Sequence, residues 1–194
     1  MTDAARHSRS GATSRDEIVH TLFDLFRWRG FEGAALSDIS EATGLGRSSL
    51  YHHFPGGKDE MVLAVAGFAH QQIDAAILQP LKADTPLPAR IDVMLAATRG
   101  MYDCGQAPCL VATLMASPGL APDTAAKVRA ILQDWIDALS AALRSGGLSE
   151  DEATRRAAAA IVDIQGGLLV SRASGNPGIF EDALNSARTT LLAS

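Results

Sequence analysis

Arg47, Ser48, Tyr51 and His52 fall largely on one side of a short helical stretch whose other side carries Leu50 and Phe54, one turn apart. A guanidinium can pair with guanine O6 and N7, and short hydroxyls serve as donor or acceptor, so this row suits the edges of bases. Lys58 opens the next helix, where its charge adds to the attraction of a helix N-terminus for an anion. His52 and His53 are neighbours, and adjacent histidines on a helix point about 100° apart and seldom share a metal. No nucleophile elbow, phosphate loop, metal quartet or paired-carboxylate motif occurs, and Asp134, Asp137 and Asp163 read as solvated helix faces. We therefore expect no catalytic residue, no cofactor and no metal.

The elements that would position this row follow from caps and breakers. Ser14-Arg15-Asp16-Glu17 is a capping box that starts a first helix, and Ile18, Leu22, Leu25 and Phe26, with Val19 and Phe23 beside them, give it a buried stripe up to Gly30. Ser37 can cap a short second helix carrying Ile39 and Ala42 inward. Gly44-Leu45-Gly46 breaks it, and a third short helix ends at Pro55-Gly56-Gly57. Three short helices with a tight glycine turn between the second and third form the geometry that lays a recognition helix into a major groove.

Lys58 begins a long fourth helix with Met61, Val62, Val65, Phe68, Ala69 and Ile73, running to the proline-rich stretch from Pro80 to Pro88. Later starts are marked by Thr85-Pro86, Pro122-Asp123, a second capping box at Ser149 to Glu152, and Asn176-Pro177. The helix over about 149–172 has Ala153, Ala157, Ile161, Ile164 and Leu168 on one face but Val162 and Leu169 on another, which implies two packing partners. With the last helix, over about 177–192, it is expected to form a homodimer surface.

Composition fits this reading: 47% of residues are hydrophobic and only 5% aromatic, rich in alanine and leucine, which favours an all-α fold, and the starts and stops above divide it into about nine helices. The net charge of −5 argues against nucleic acid, and residues 1–60 hold seven basic against nine acidic side chains, so placement must matter more than sum. Arg6 and Arg9 read as solvated tail residues rather than as a minor-groove arm. No run of about 18 uncharged apolar residues and no signal-peptide core occur, so a cytoplasmic protein with no membrane partner is expected. Cys104 and Cys109 make no disulfide framework and are both expected to be buried thiols.

The string Leu45-Gly46-Arg47-Ser48-Ser49-Leu50-Tyr51-His52-His53-Phe54, followed by Lys58, resembles the signature of TetR-family transcriptional regulators over residues 15 to about 66. The extra residue in Phe54-Pro55-Gly56-Gly57-Lys58 is similar to the drug- and flavonoid-responsive, LmrA/YxaF-like subgroup, and Gln106 to Ala112 weakly echoes a Gly-Cys-Pro segment of it. The resemblance implies a flexible tail at 1–13, a DNA-binding helix-turn-helix domain at 14–60 and a helical ligand-binding and dimerisation domain at 61–194. It implies that Arg47 and Ser48 approach base edges, that Tyr51 and His52 meet backbone or thymine methyls, that Ser37 and Lys58 hold phosphates, and that Ser49 also belongs to the DNA-binding set. Gly46 and Ser48 depart from the residues frequent in the family, so no base preference is carried over.

The same resemblance implies a repressor that binds a pseudo-palindromic double-stranded operator as a homodimer and is released by a small apolar effector. Met94, Met101, Tyr102, Met115, Ile131 and Trp135, together with Phe68 and His70, mix thioethers and aromatics as such a pocket does, although any one alone reads as core. Two alternatives stand beside this: a small-molecule carrier or sensor without operator binding, and a thiol-based redox sensor using Cys104 and Cys109, with Gly105 and Pro108 between them.

Overall fold

The computed structural model describes residues 14–193, and every regular element among them is helical. α1 spans Arg15–Gly33, α2 Leu36–Thr43 and α3 Arg47–His53. α4 begins as Gly57–Ile73 and continues through a wider π turn, Asp74–Leu78, into a last turn, Gln79–Leu81. α5 is Leu87–Met101, α6 Leu110–Met115, α7 Pro122–Ser145, α8 Glu150–Ser174 and α9 Gly178–Leu192. The expected all-α fold is what the chain adopts. Arg6, Arg9 and the rest of the expected tail lie outside the described residues.

Capping decides where the head begins. The Ser14 hydroxyl accepts the Glu17 N–H at 3.2 Å and the Glu17 carboxylate accepts the Ser14 N–H at 2.7 Å, completing the expected box. Gly30, at φ +69°, kinks α1 without ending it. A Cβ there would lie 3.4 Å from Thr113 Cγ2, so the kink also brings α1 close to α6. Ser37 does not cap α2. Ala35 holds that position, and Asp38, three residues on, reaches back to accept the Ala35 N–H at 2.9 Å, a bond that needs no side chain at the cap itself. Ala42 is exposed rather than inward, because eight residues give this helix only Ile39 as a buried anchor.

The long α4 is apolar enough by length and composition alone to cross a membrane. Here Met61, Val62, Val65, Ala66, Ile73 and Ile77 are buried inside the protein instead. Its π turn lies just before Pro80, whose ring cannot donate and would crowd the carbonyl four residues earlier, so the widened turn lets the helix pass the proline.

One hydrophobic cluster runs from Ile18 to Leu191. α1 packs against both α4 and α6, so the head is seated directly on the body. At the far end, the second capping box is half made: Ser149 accepts the Glu152 N–H at 3.4 Å, but the Glu152 carboxylate turns to Arg155 and Arg156. α8 and α9 pack along each other with Gly167 against Ala183, a contact that leaves no room for a side chain at 167. On the other face of α8, Val162 is 69% and Leu169 66% exposed.

The two thiols differ. Cys109 is buried and Cys104 exposed, correcting the expectation that both are buried. Asp103, Cys104 and Gly105 all have positive φ, at +47°, +51° and +92°. It is Gly105 that turns inward, where an added Cβ would sit 2.8 Å from Phe180 Cβ, and Cys104 is left outside.

Candidate functional site

α2 ends at Gly44 in the left-handed conformation, φ +67°, and α3 starts three residues later, at Arg47 behind Gly46. Thr43 Oγ1 donates to the Ile39 carbonyl at 2.7 Å and accepts the Leu45 N–H at 3.4 Å, which pins the turn. Ile39, Leu50 and Phe54 are fully buried and fix the roll of α3. Arg47, Ser48, Ser49, Tyr51 and His52 are consequently exposed together, with Ser37 exposed on α2. The structure brings the expected α3 row onto one accessible surface of donors and acceptors.

The turn into α4 supports that row. Gly57 has φ +68°, and a Cβ there would meet Tyr51 Cε1 at 3.4 Å, so the extra glycine gives the Tyr51 ring its seat. Gly56 donates its N–H to Glu60 Oε2 at 2.8 Å. Arg15 closes the corner, with Nη2 3.2 Å from Glu60 Oε1 and its guanidinium 4.7 Å from the Phe54 ring centre. Lys58 is half-buried, its ammonium 4.4 Å above the Phe31 ring. The Ala35 N–H and then Arg29, 2.8 Å away, hold the Asp38 carboxyl below its usual range.

A second site lies where α1, α4 and α5 meet. A cavity of about 370 Å3 is lined by His20, Phe23, Asp24 and Arg27 of α1, Phe68, Gln72 and Ala76 of α4, and Ala97, Gly100 and Met101 of α5. A smaller void of about 40 Å3 shares Phe23, Arg27, Gln72 and Met101 and adds Tyr102 and Cys109. The His20 and Phe23 rings stand edge-on to Phe68 at 5.6 and 5.5 Å. Arg27 donates Nε to the Pro108 carbonyl and Nη2 to the Met101 carbonyl, both at 2.6 Å. Burial disfavours its charge, against which Tyr102 and then Asp24 pull. Burial likewise pushes the Tyr102 hydroxyl well above its ordinary pKa, and Cys109, 3.5 Å away, adds to this.

Of the side chains expected to hold an effector, Phe68, Met101 and Tyr102 meet at these cavities. The other five lie outside both linings. Trp135 and Met94 are core residues joined by a 3.4 Å contact from Nε1 to Sδ, and Ile131 is buried on α7. His70 Nε2 pairs with Asp134 across α4 and α7 at 2.8 Å, and Met115 is 39% exposed at the end of α6. His20 and Arg27 escaped the sequence reading, which weighed α1 for the stripe it turns to the head. The signal was present: Phe23 and Arg27 are four residues apart and so share a face.

Two family models match the chain. Residues 18–65 match the N-terminal domain of the bacterial regulatory proteins of the tetR family, and residues 93–186 match the C-terminal domain of LmrA/YxaF-like transcriptional regulators. The chain is 26% identical over 166 residues to the HTH-type transcriptional regulator LmrA of Bacillus subtilis, covering 84% of this chain and 88% of that one. It is 24% identical over 165 residues to the regulator YxaF of the same organism, covering 84% and 86%. A TetR transcriptional regulator from Legionella pneumophila has the same fold, with a TM-score of 0.81, 22% identity, and 93% and 97% of the two chains covered. An exposed α3 row behind a glycine turn, on a head continuous with a LmrA/YxaF-like body, places this chain in the TetR family of transcriptional regulators with a DNA-binding helix-turn-helix.

Proposed function

We propose that the chain is a repressor that binds a pseudo-palindromic operator as a homodimer and leaves it when a small, largely apolar effector binds. The observation that carries this is the exposed set Arg47, Ser48, Ser49, Tyr51 and His52 above buried Leu50 and Phe54. In this reading Arg47 and Ser48 read bases, Tyr51 and His52 touch backbone or thymine methyls, Ser37 and Lys58 hold phosphates, and Ser49 lies in the same DNA-binding set. Residues 14–60 serve as the DNA-binding unit and 61–194 as the ligand-binding and dimerisation unit, in the cytoplasm where the DNA lies.

The dimer forms through α8 and α9, a reading supported by the exposed Val162, Leu169 and Val170. Two recognition helices then sit about one DNA turn apart. The effector occupies the cavity between α1, α4 and α5. Because α1 and α4 carry the head, a ligand that fits only after these helices shift lowers operator affinity by the coupling free energy, typically about 1–3 kcal/mol.

Selection of bound duplexes from a randomised pool tests the reading. An enriched inverted repeat, bound with steep salt dependence, is expected. A folded dimer that enriches no sequence would overturn it.

A further inference from the structure

Arg27 is a half-buried cation with no carboxylate in ion-pair contact, although Asp24, one turn earlier on α1, acts on its charge from farther away. Its Nε and Nη2 are committed to the carbonyls of Pro108 and Met101, and no ion pair to Arg27 occurs among the described residues. Nη1 makes no hydrogen bond among the described residues and is within reach of solvent, and the guanidinium lines both the larger cavity and the smaller void. Desolvating a charge without a counter-ion is costly, and an anion delivered by a ligand offsets that cost.

The rest of the cavity fixes what such a ligand must look like. Phe23 and Phe68 line it with aromatic rings, and Ala97 and Met101 are apolar. Two of the five guanidinium N–H groups are committed, which leaves the two on Nη1 and the second on Nη2 to meet a carboxylate. Asp24, exposed on the cavity's rim, sets one negative charge against any dianion.

We propose that this cavity binds a small monocarboxylate whose carboxylate pairs with Arg27 Nη1 and whose apolar body lies against Phe23 and Phe68. The proposal rests on the effector reading above and supplies its ligand class. It also supplies a mechanical link, because the same guanidinium ties α1 to the segment after α5. A carboxylate drawing on Arg27 competes with the two carbonyls that hold the head in place.

The test uses the full chain and two matched pairs of probes, 2-naphthoate with 2-naphthamide and decanoate with decanamide, titrated calorimetrically. Each carboxylate is expected to bind about tenfold or more tightly than its amide, as a charge-assisted hydrogen bond provides. Arg27→Gln should remove that preference while amide affinity stays within about twofold. Ala97→Phe fills the cavity without touching the Arg27 hydrogen bonds and should abolish binding of all four probes. Equal affinity within both pairs, a preference surviving Arg27→Gln, binding that survives Ala97→Phe, or no binding of any probe would each overturn the site. If Arg27→Gln does not fold, Ala97→Phe decides alone. Operator affinity measured in parallel separates the two readings. Carboxylate-selective binding that leaves operator affinity unchanged keeps this site and sinks effector release. Release by compounds with no carboxylate preference does the reverse.

Discussion

The Glu32 carboxylate, in the last turn of α1, accepts the Gly119 backbone N–H at 2.9 Å and so joins the head to the loop between α6 and α7. The seat is close-fitting, since a Cβ on Gly119 would stand 3.0 Å from Glu32 Oε1. One residue away, Phe31 carries the Lys58 ammonium on its ring. A head-to-body contact and a proposed phosphate-holding cation therefore share the last turn of α1.

That contact predicts an acid-sensitive stability. The Gly119 N–H first, then the Ser117 hydroxyl, hold the Glu32 carboxyl below its ordinary range. A lowered folded value means the stabilisation is fully present above the unfolded glutamate value of about 4.3 and fades as pH falls through the folded value. Melting temperatures of the native chain and Glu32→Gln should differ most at neutral pH and converge in acid. A constant gap from pH 7 to 3 would show that the carboxylate charge is not what holds Gly119.

Arg47→Ala and Lys58→Ala should weaken operator binding in different ways. Loss of Arg47 costs about 1–3 kcal/mol on the preferred operator and relaxes discrimination at the base it reads. Loss of Lys58 weakens all sequences alike and lowers the salt slope by about one. Binding isotherms of each variant at several salt concentrations, on operator and on scrambled duplex, check this. Identical salt slopes for Lys58→Ala and the native chain would remove Lys58 from the phosphate contacts.

How far the sequence could be read depended on the range of the interaction. Ser14, Gly44, Gly146 and Gly175 mark helix limits in the chain because caps and left-handed stops act within a few residues. α3's two faces were equally legible, since Leu50 and Phe54 need only helical periodicity to turn inward. Ser37 misled because α2 starts earlier, with Ala35 at the cap and Asp38 reaching back to its N–H, a choice that residue type alone does not decide. The effector set was the least legible. His70 is drawn to Asp134 and Trp135 to Met94 by contacts that are both more than 40 residues apart in the chain. Arg27 reaches its carbonyls 74 and 81 residues later, which no local pattern announces.

Gly57 offers a test of the head that leaves every residue type in the α3 row unchanged. At φ +68° with the Tyr51 ring 3.4 Å from where a Cβ would stand, Gly57→Ala meets both backbone strain and a displaced ring. The left-handed conformation alone costs an L-residue about 1–2 kcal/mol. A fall in melting temperature of about 2–8 °C is expected for a chain of this size. Operator affinity should fall further than the equivalent loss at Gly147, which is also at positive φ but has nothing within 4 Å. Equal effects on affinity at the two glycines would mean that the Tyr51 seat is irrelevant to DNA binding.

The outer face of α8 separates dimerisation from folding. Leu169 is 66% and Val162 69% exposed, so a charged residue at either position leaves no cavity in the chain's own core and should not unfold it. If these side chains are buried between two copies, Leu169→Glu places like charges where apolar contact is needed, and sedimentation equilibrium should show a folded monomer. Operator affinity should fall with the dimer, because one recognition helix then reaches only a half-site. A stable dimer in both Leu169→Glu and Val162→Glu would place the partner on another face. The α3 row would then need a different spacing of half-sites on the DNA.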